Sequence, residues 1–223
     1  MRIYKKETVL NAALSRISYL FDEFEDVIVC MSGGKDSTVC YELCKKIAGE
    51  KNRLPLRVMW IDQEAEWQGT VDYMTGIMED KNVLPMWYQM PIVITNNASS
   101  YNRFSYCWDA EKKDDWIHPQ HDLSIKQNTY GKERFHDLFD AIIGKECSGK
   151  KACYIAGMRA EENPKRAMVL TRGVTYKGIT WGKVLSKKND HYTFYPIYDW
   201  SYTDVWKYIE STGSKYNKVY DQM

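Results

Sequence analysis

Apolar residues along this chain follow two spacings, which predict helices alternating with buried strands. Spacings of three and four between apolar residues predict amphipathic helices. Short apolar runs rich in β-branched residues predict parallel strands that are buried on both faces. The predicted helices are 6–20, 37–48, 71–81, 132–143 and 201–211. The predicted strands are 26–31, 56–61, 86–94 and 152–156.

The order of these elements predicts an α/β fold with a mainly parallel, twisted sheet and helices on both faces. Pro91 has no N–H for a sheet, so the late part of the 86–94 strand is expected at an edge or in irregular structure. Residues 174–195 are predicted to form a hairpin. Ligands of such sheets bind beyond the carboxyl ends of the strands. Three candidate segments follow strand ends: 32–37, Asp62 and 157–166. We expect them to meet in one crevice.

Residues 95–131 differ from the rest of the chain because they are polar and aromatic and show weak periodicity. A segment of this length inside a compact domain is usually functional or mobile. We expect a lid or an acceptor-binding surface outside the core; the alternative is an insertion that packs permanently against the domain. Its clustered aromatic and basic side chains are Tyr101, Arg103, Tyr106 and Trp108. Residues 1–223 are predicted to form one domain that includes this segment.

Composition and charge exclude several classes of protein. The 223 residues contain 31 Lys and Arg against 30 Asp and Glu, and the net charge of +1 argues against a protein that coats nucleic acid, although it leaves a local basic patch open. No run approaches the roughly 18 apolar residues of a membrane helix, and the N-terminal stretch lacks the apolar core of a secretory signal. The six cysteines form no C-x-x-C pair, so we expect a cytoplasmic protein with reduced thiols and neither a zinc nor an iron–sulfur site.

Residues 32–37, with the sequence SGGKDS, carry the strongest chemical signal. Their two glycines let the backbone approach an anion closely, and the first N–H groups of the following helix favour phosphate. Lys35 adds a positive charge, while Asp36 would repel bare phosphate and is therefore expected to hold magnesium or to orient the loop. The predicted phosphate-binding residues are Ser32, Gly33, Gly34, Lys35, Asp36 and Ser37.

An apolar strand followed by SGGKDS resembles the pyrophosphate-loop motif of the adenine nucleotide α-hydrolase-like superfamily. Three further stretches are similar to its phosphoadenosine phosphosulfate reductase-like branch. They are a strand end with an acidic, aromatic turn at 60–67, a Gly-x-Arg-x-Glu-Glu-x-x-x-Arg segment at 157–166, and Pro-Ile-x-x-Trp followed by Asp-Val-Trp at 196–206. Together the matching stretches extend from residue 27 to about residue 220, and the resemblance implies the fold of the pyrophosphate-loop enzymes.

Two departures from this branch bear on the reaction that the resemblance implies. Its assimilatory reductases carry a C-terminal Glu-Cys-Gly-x-His-type segment, whereas this chain has no cysteine after Cys153. Its iron–sulfur members have a Cys-Cys pair and a C-x-x-C, which are also missing. A complete SGGKDS looks more like the members that cleave ATP between the α- and β-phosphates, so we do not expect a sulfonucleotide reductase.

Charged residues at the other strand ends have two interpretations each. Arg159 and Arg166 are candidates to clamp phosphate or sulfate oxygens with a two-pronged geometry; the alternative is that one of them pairs with Glu161 or Glu162. Asp62 is a candidate to hold magnesium or a ribose hydroxyl, or else it is a turn residue. The residues predicted to pack in the core are Cys40, Cys44, Trp200, Trp206 and Tyr208. Those predicted to be solvated are His118, His121 and 111–115.

The expected function is that of an enzyme that binds ATP with magnesium, or an adenylyl sulfate-type nucleotide, and activates an acceptor. The candidate catalytic residues are Lys35, Asp36 and Arg159, and the candidate magnesium ligands are Asp36 and Asp62. The nucleotide is also expected to contact Gly157 and Arg166. The alternatives are a sulfonucleotide reductase with Cys107 as its thiol, a sulfotransferase-type activity, and a non-catalytic nucleotide sensor. The sequence leaves four points undetermined: the acceptor, a partner protein, nucleic acid as a ligand, and the oligomeric state, for which a homodimer is one candidate.

Overall fold

The computed structural model describes residues 6–170 and 173–222 and contains eight strands and six α-helices within them. The strands are β1 (Asp26–Cys30), β2 (Leu56–Ile61), β3 (Val83–Tyr88), β4 (Ile92–Thr95), β5 (Phe104–Cys107), β6 (Ala152–Ala156), β7 (Gly182–Ser186) and β8 (His191–Phe194). The helices are α1 (Val9–Glu23), α2 (Lys35–Glu50), α3 (Gln68–Met78), α4 (Phe135–Glu146), α5 (Pro164–Val169) and α6 (Tyr202–Thr212). Short 3-10 helices cover Ala110–Asp115, Ala160–Glu162 and Lys218–Gln222.

The central sheet has the strand order β3-β2-β1-β6-β8-β7. All neighbours pair in parallel except β7, which forms an antiparallel hairpin with β8 inside the predicted 174–195 region. The chain builds outward from β1 through β2 to β3 and then returns to place β6 on the other side of β1. The strand order therefore reverses between β1 and β6, and ligands of open α/β sheets bind at such a reversal.

Helices cover both faces of the sheet, as the sequence predicts. Val27 and Val29 of β1 point into a core with α1, α2, α3 and α6, whereas Ile28 points into a second core with α4. This alternation follows from the two-residue period of a strand, and both faces are apolar because each is covered. None of the helices in the described residues is long and apolar enough to cross a membrane.

The predicted elements are present with shifted ends. The predicted bounds of β2 and β6 agree with the structure. Ser201 caps α6 in a capping box with Asp204. The single predicted strand at 86–94 is wrong, because β3 ends at Tyr88 and β4 begins after Pro91. Residues 1–5 of the predicted N-terminal stretch lie outside the described residues.

Residues 95–131 are not uniformly outside the core, which corrects the expectation from their polarity. Cys107 and Trp108 are buried, and the Trp108 indole Nε1–H donates to the backbone oxygen of Asp62 at 2.8 Å. His118, expected in a solvated loop, is also buried. An indole or imidazole supplies both apolar surface and a polar tip, so a polar stretch can still contribute to a core. The predicted burial of Cys40, Cys44 and Trp200 and the predicted exposure of 111–115 are confirmed.

Candidate functional site

The loops after β1 and β6 meet at the point where the strand order reverses. Gly157, which follows β6, lies against the first turn of α2, and a Cβ added to Gly157 would be 2.7 Å from the Cα of Ser37. Real Cβ atoms essentially never approach other atoms so closely. Only glycine therefore fits where the two loops touch, which explains its place in the 157–166 segment.

The phosphate loop, residues 32–37, places the open end of α2 at this crevice. Gly33 has a φ of +70°, a conformation that favours glycine. Gly34 is the N-cap of the 16-residue α2 and supplies no side-chain capping hydrogen bond. The Ser37 hydroxyl donates to the Gly34 oxygen at 2.8 Å and lies 3.2 Å from the Ser32 hydroxyl. The helix N-terminus and two hydroxyl groups thus face the space where an anion would bind.

Arg159 binds Asp36 across this loop. Arg159 Nε donates to Asp36 Oδ1 at 2.7 Å, and Lys35 Nζ lies 3.4 Å from Asp36 Oδ2. The Arg159 side chain is only 4% exposed, and its Nη1 has no hydrogen-bond partner within the described part of the chain. In this structure the Arg159 guanidinium pairs with Asp36, and its role as a clamp for phosphate or sulfate oxygens stays a prediction. A buried guanidinium N–H without a partner normally has a ligand or water to bind.

Arg166 takes the other predicted role, that of a structural ion pair. It lies on α5, and its Nη1 forms an ion pair with the Glu162 carboxylate. The Glu162 carboxylate also accepts the backbone N–H of Arg159 at 3.0 Å. Arg166 therefore stabilises the turn that follows β6, while Arg159 reaches the phosphate loop.

Asp62 does not fit the predicted role of a magnesium or ribose ligand. It has 0% exposure, and its carboxylate accepts hydrogen bonds from the backbone N–H of Glu64 at 2.9 Å and the Gln89 amide at 2.9 Å. The Trp87 indole donates to it at 3.3 Å, and His118 Nε2 lies 3.4 Å away. Both carboxylate oxygens are thus occupied by protein donors. No group of three or more His, Cys, Asp or Glu side chains suited to a metal occurs in the part of the chain that the structure describes.

A cavity of about 200 Å³ opens beside the phosphate loop, at the carboxyl ends of β1, β2 and β6. Its walls are mostly apolar strand ends with a few polar groups. The lining residues include Cys30, Met59, Gln63, Glu66, Phe135 and Phe139. Burial and the nearby Asp62 carboxylate raise the pKa of Glu66. We call this space the nucleotide cavity. Phe135 and Phe139 could not be predicted as lining residues, because the spacing of apolar residues in a helix does not show which side chains reach a distant strand end.

The C-terminal segment also contributes to the site, which the sequence analysis missed. Asn217 is buried, and its Nδ2 donates to the Gly33 oxygen at 3.1 Å and to Thr70 Oγ1 at 2.8 Å. The ring of Tyr220 lies 5.4 Å from Lys35 Nζ, and the ring of Tyr202 lies 5.5 Å from the same atom. These contacts join residues that are between 147 and 185 positions apart in the chain, so no local sequence pattern predicts them.

Comparison with known proteins finds a family model that matches nearly the whole chain. The model of the phosphoadenosine phosphosulfate reductase domain matches residues 26–223. The uncharacterized protein YbdN of Escherichia coli (strain K12) is 27% identical over 237 residues, which cover 100% of this chain and 57% of YbdN. Sulfate adenylyltransferase subunit 2 of Akkermansia muciniphila is 20% identical over 203 residues, which cover 84% of this chain and 57% of that protein. The chain therefore spans little more than half the length of these two relatives.

A solved structure supports the same fold. Candida glabrata FMN adenylyltransferase in complex with FAD and inorganic pyrophosphate matches with a TM-score of 0.58 at 11% identity. The match covers 95% of this chain and 58% of that one. At this identity the similarity shows a shared α/β architecture and leaves the reaction to be argued from the residues.

Proposed function

Because the chain belongs to the phosphoadenosine phosphosulfate reductase domain family, we propose that its site binds ATP and transfers the adenylyl group to an acceptor. The observation that carries this proposal is the buried Arg159, whose unpartnered Nη1 lies beside the open N-terminus of α2. A guanidinium and the N–H groups of a helix N-terminus together suit the oxygens of a polyphosphate. The domain is a little over half of its first relatives, so the activity of a longer protein is part of the proposal.

The two parts of ATP suit two parts of the site. The β- and γ-phosphates would lie on the phosphate loop, beside the first turn of α2, the Ser32 and Ser37 hydroxyls and the Lys35 side chain. The adenine would enter the nucleotide cavity, whose walls are mostly apolar strand ends with the polar Gln63 and Glu66 among them. Mostly apolar clefts with a few polar groups are the usual sites of small ligands.

The reaction needs no protein nucleophile. An oxygen or nitrogen of the acceptor bonds to the α-phosphorus and loses its proton to solvent, the bond from the α-phosphorus to the bridging oxygen breaks, and pyrophosphate leaves with the electron pair. Lys35 and Arg159 stabilise the negative charge that builds on the leaving pyrophosphate. Holding the acceptor and the α-phosphate in line supplies the rest of the acceleration.

The predicted magnesium ion does not fit Asp62, and Asp36 already binds two cations, Arg159 and Lys35. The proposal therefore assigns no step to magnesium and places charge stabilisation on the two basic side chains. Magnesium bound by nucleotide phosphates needs few protein ligands, so the binding experiment below includes it as a variable.

The described cysteines do not favour the alternative of a thiol-dependent reductase. Cys107, the candidate thiol, is buried, and burial with the nearby Glu64 raises its pKa to about 12. Burial also raises the pKa of Cys30 in the wall of the nucleotide cavity. A thiol with a raised pKa is a poor nucleophile near neutral pH.

Calorimetric titration tests the proposal with ATP, adenylyl sulfate and its 3′-phosphorylated form, each with and without magnesium. Gly34→Val should abolish ATP binding because the new side chain fills the space that phosphate needs. The backbone of Gly34 is not in the left-handed region, so the variant should fold. Gly76→Val, on α3 with open space around it, is the matched control. Unchanged ATP affinity in a folded Gly34→Val protein would overturn the site, and binding without pyrophosphate release would favour a sensor over an enzyme.

A further inference from the structure

A second cavity, of about 470 Å³, adjoins the nucleotide cavity. The two cavities share Gln63 and Phe135 in their walls. We call the second one the acceptor cavity. Its remaining walls come from the two-stranded ribbon of β4 and β5 and from the start of α4, and include Val93, Thr95, Phe104, Arg134 and His136. A molecule bound there would lie next to the proposed site of ATP.

The ribbon exposes aromatic rings on the face that borders this cavity. In the antiparallel register Ile92 pairs with Cys107, and both are buried on the inner face. Phe104 and Tyr106 project from the outer face and are 43% and 68% exposed, and Tyr101 at the tip of the ribbon is 94% exposed. Three large rings on one short ribbon form an unusual concentration of exposed aromatic surface, which marks a binding surface.

Basic side chains accompany these rings on the ribbon and at the start of α4. The Arg134 guanidinium lies 5.6 Å from the centre of the Phe104 ring. Arg103 and Lys132 are also exposed, and none of these three side chains forms an ion pair with a carboxylate of the described residues. Arg134 is the N-cap of the 12-residue α4 and supplies no side-chain capping hydrogen bond. Asp137 in the first turn of α4 is the acidic residue in the cavity wall and reduces the positive potential there.

Exposed rings together with unpaired cations match one class of ligand. We propose that the ribbon and the acceptor cavity bind a single-stranded nucleic acid, whose bases stack on Tyr101, Phe104 and Tyr106 and whose phosphates bind the basic side chains. Stacking on a β-sheet surface and backbone neutralisation are how proteins hold single strands. A small inorganic anion would not contact the aromatic rings, and the bases of a duplex are already stacked and paired, so they are not available to stack on the protein. The inference rests on the proposed function for the role of this strand as acceptor.

Fluorescence anisotropy with a labelled ten-nucleotide oligothymidylate and its oligouridylate counterpart tests the binding. Phe104→Ala and Tyr106→Ala should each weaken binding by roughly 5- to 100-fold, the effect of losing one stacked base. Tyr19→Ala, which removes an exposed tyrosine from α1, is the matched control and should leave the affinity unchanged. Arg134→Gln should lower the affinity for both oligonucleotides and reduce its dependence on salt. Circular dichroism checks that each variant folds.

Competitors and a second variant separate the possible failures. Two competitors, a duplex of the same length and inorganic polyphosphate, should each compete poorly. If polyphosphate competes as well as the oligonucleotide and both aromatic variants keep their affinity, the surface binds polyanions non-specifically and the proposal is overturned. If neither oligonucleotide binds at low salt, the proposal is also overturned, and the exposed aromatic rings would then favour a protein partner. Gly34→Val should lose ATP but keep the oligonucleotide, so a failure of ATP binding is distinguishable from a failure at the ribbon.

Discussion

The hydroxyl of Tyr220 accepts a hydrogen bond from the backbone N–H of Lys35, with 3.3 Å between oxygen and nitrogen. That N–H belongs to the first turn of α2, where we propose that phosphate binds. Asn217 holds the same C-terminal segment against the loop through the Gly33 oxygen. In this structure a tyrosine hydroxyl therefore occupies one of the donors that the nucleotide would use.

Tyr220→Phe should increase the affinity for ATP about 5-fold. The change frees the Lys35 N–H while keeping the aromatic ring near Lys35 Nζ, and a hydrogen bond of this kind is worth about 1 kcal/mol. Calorimetric titration measures the effect. Tyr202→Phe is the control, since the Tyr202 ring also lies near Lys35 but its hydroxyl does not bond to the loop. Weaker ATP binding in Tyr220→Phe would mean that the hydroxyl itself contacts the nucleotide.

Arg159 and Arg166 should differ sharply in nucleotide binding. Arg159→Gln removes the buried guanidinium beside the phosphate loop and should weaken ATP binding at least about 10-fold, since a charge-assisted hydrogen bond is worth about 1.5–3 kcal/mol. Arg166→Gln removes an exposed partner of Glu162 and should change the affinity by less than about 2-fold. Equal losses in the two variants would contradict the geometry. Because Asp36 loses a partner in the first variant, its thermal stability must be measured as well.

Gly157→Ala should destabilise the protein by about 1–3 kcal/mol, the usual effect of overpacking. The added methyl group would collide with the backbone of Asp36 and Ser37 where the loops after β1 and β6 touch. Gly144→Ala, on α4 with open space around it, should instead stabilise the protein by roughly 0.5–1 kcal/mol. Urea unfolding of both variants measures these effects, and a neutral Gly157→Ala would show that the two loops can separate at little cost.

The ion pair of His118 with Asp62 should make stability depend on pH. Burial alone would lower the pKa of His118, but the Asp62 carboxylate outweighs burial and raises the pKa above its ordinary value of 6.5. The stabilisation is therefore complete below about pH 6.5 and is lost as the pH rises through the raised value. His118→Asn should lower the unfolding free energy by about 2 kcal/mol at pH 6 and by less at pH 9.

Urea unfolding at several pH values measures this difference, with His136→Asn on the surface of α4 as the control. A difference between wild type and His118→Asn that stays constant from pH 6 to pH 9, or that grows, would show that His118 contributes by packing alone.

Amide exchange should divide the 95–131 segment into two parts. The N–H groups of Trp108, His121 and Ile125 bond to Glu64, Gln89 and Trp87, so these three N–H groups should exchange slowly with or without nucleotide. Residues 97–102 form the tip of the ribbon between β4 and β5 and should exchange fast in the free protein. If they close over the site, exchange there slows when ATP binds. Strong protection of 97–102 in the free protein, unchanged by ATP, would exclude a lid.

Local sequence patterns are enough to predict the fold class and to make residues 32–37 the candidate phosphate loop. A buried parallel strand is a short apolar run, so β2 and β6 could be placed at their observed bounds. Residues 32–37 could be predicted to bind phosphate because two glycines, a lysine and two serines follow a strand and open a helix within six positions. Both patterns are complete within a few residues, and neither depends on distant partners.

The partners of the charged groups were decided only by the tertiary structure. Asp36 pairs with Arg159 from 123 positions away, and Tyr220 reaches Lys35 across 185 positions. A buried carboxylate must take whichever donors the packing brings to it, because leaving it unpaired costs several kcal/mol. Asp62 follows the same rule. Its position at a strand end suggests a carboxylate that is free to bind a ligand. In the folded chain its carboxylate instead contacts the side chains of Trp87, Gln89 and His118, which only the tertiary structure brings together.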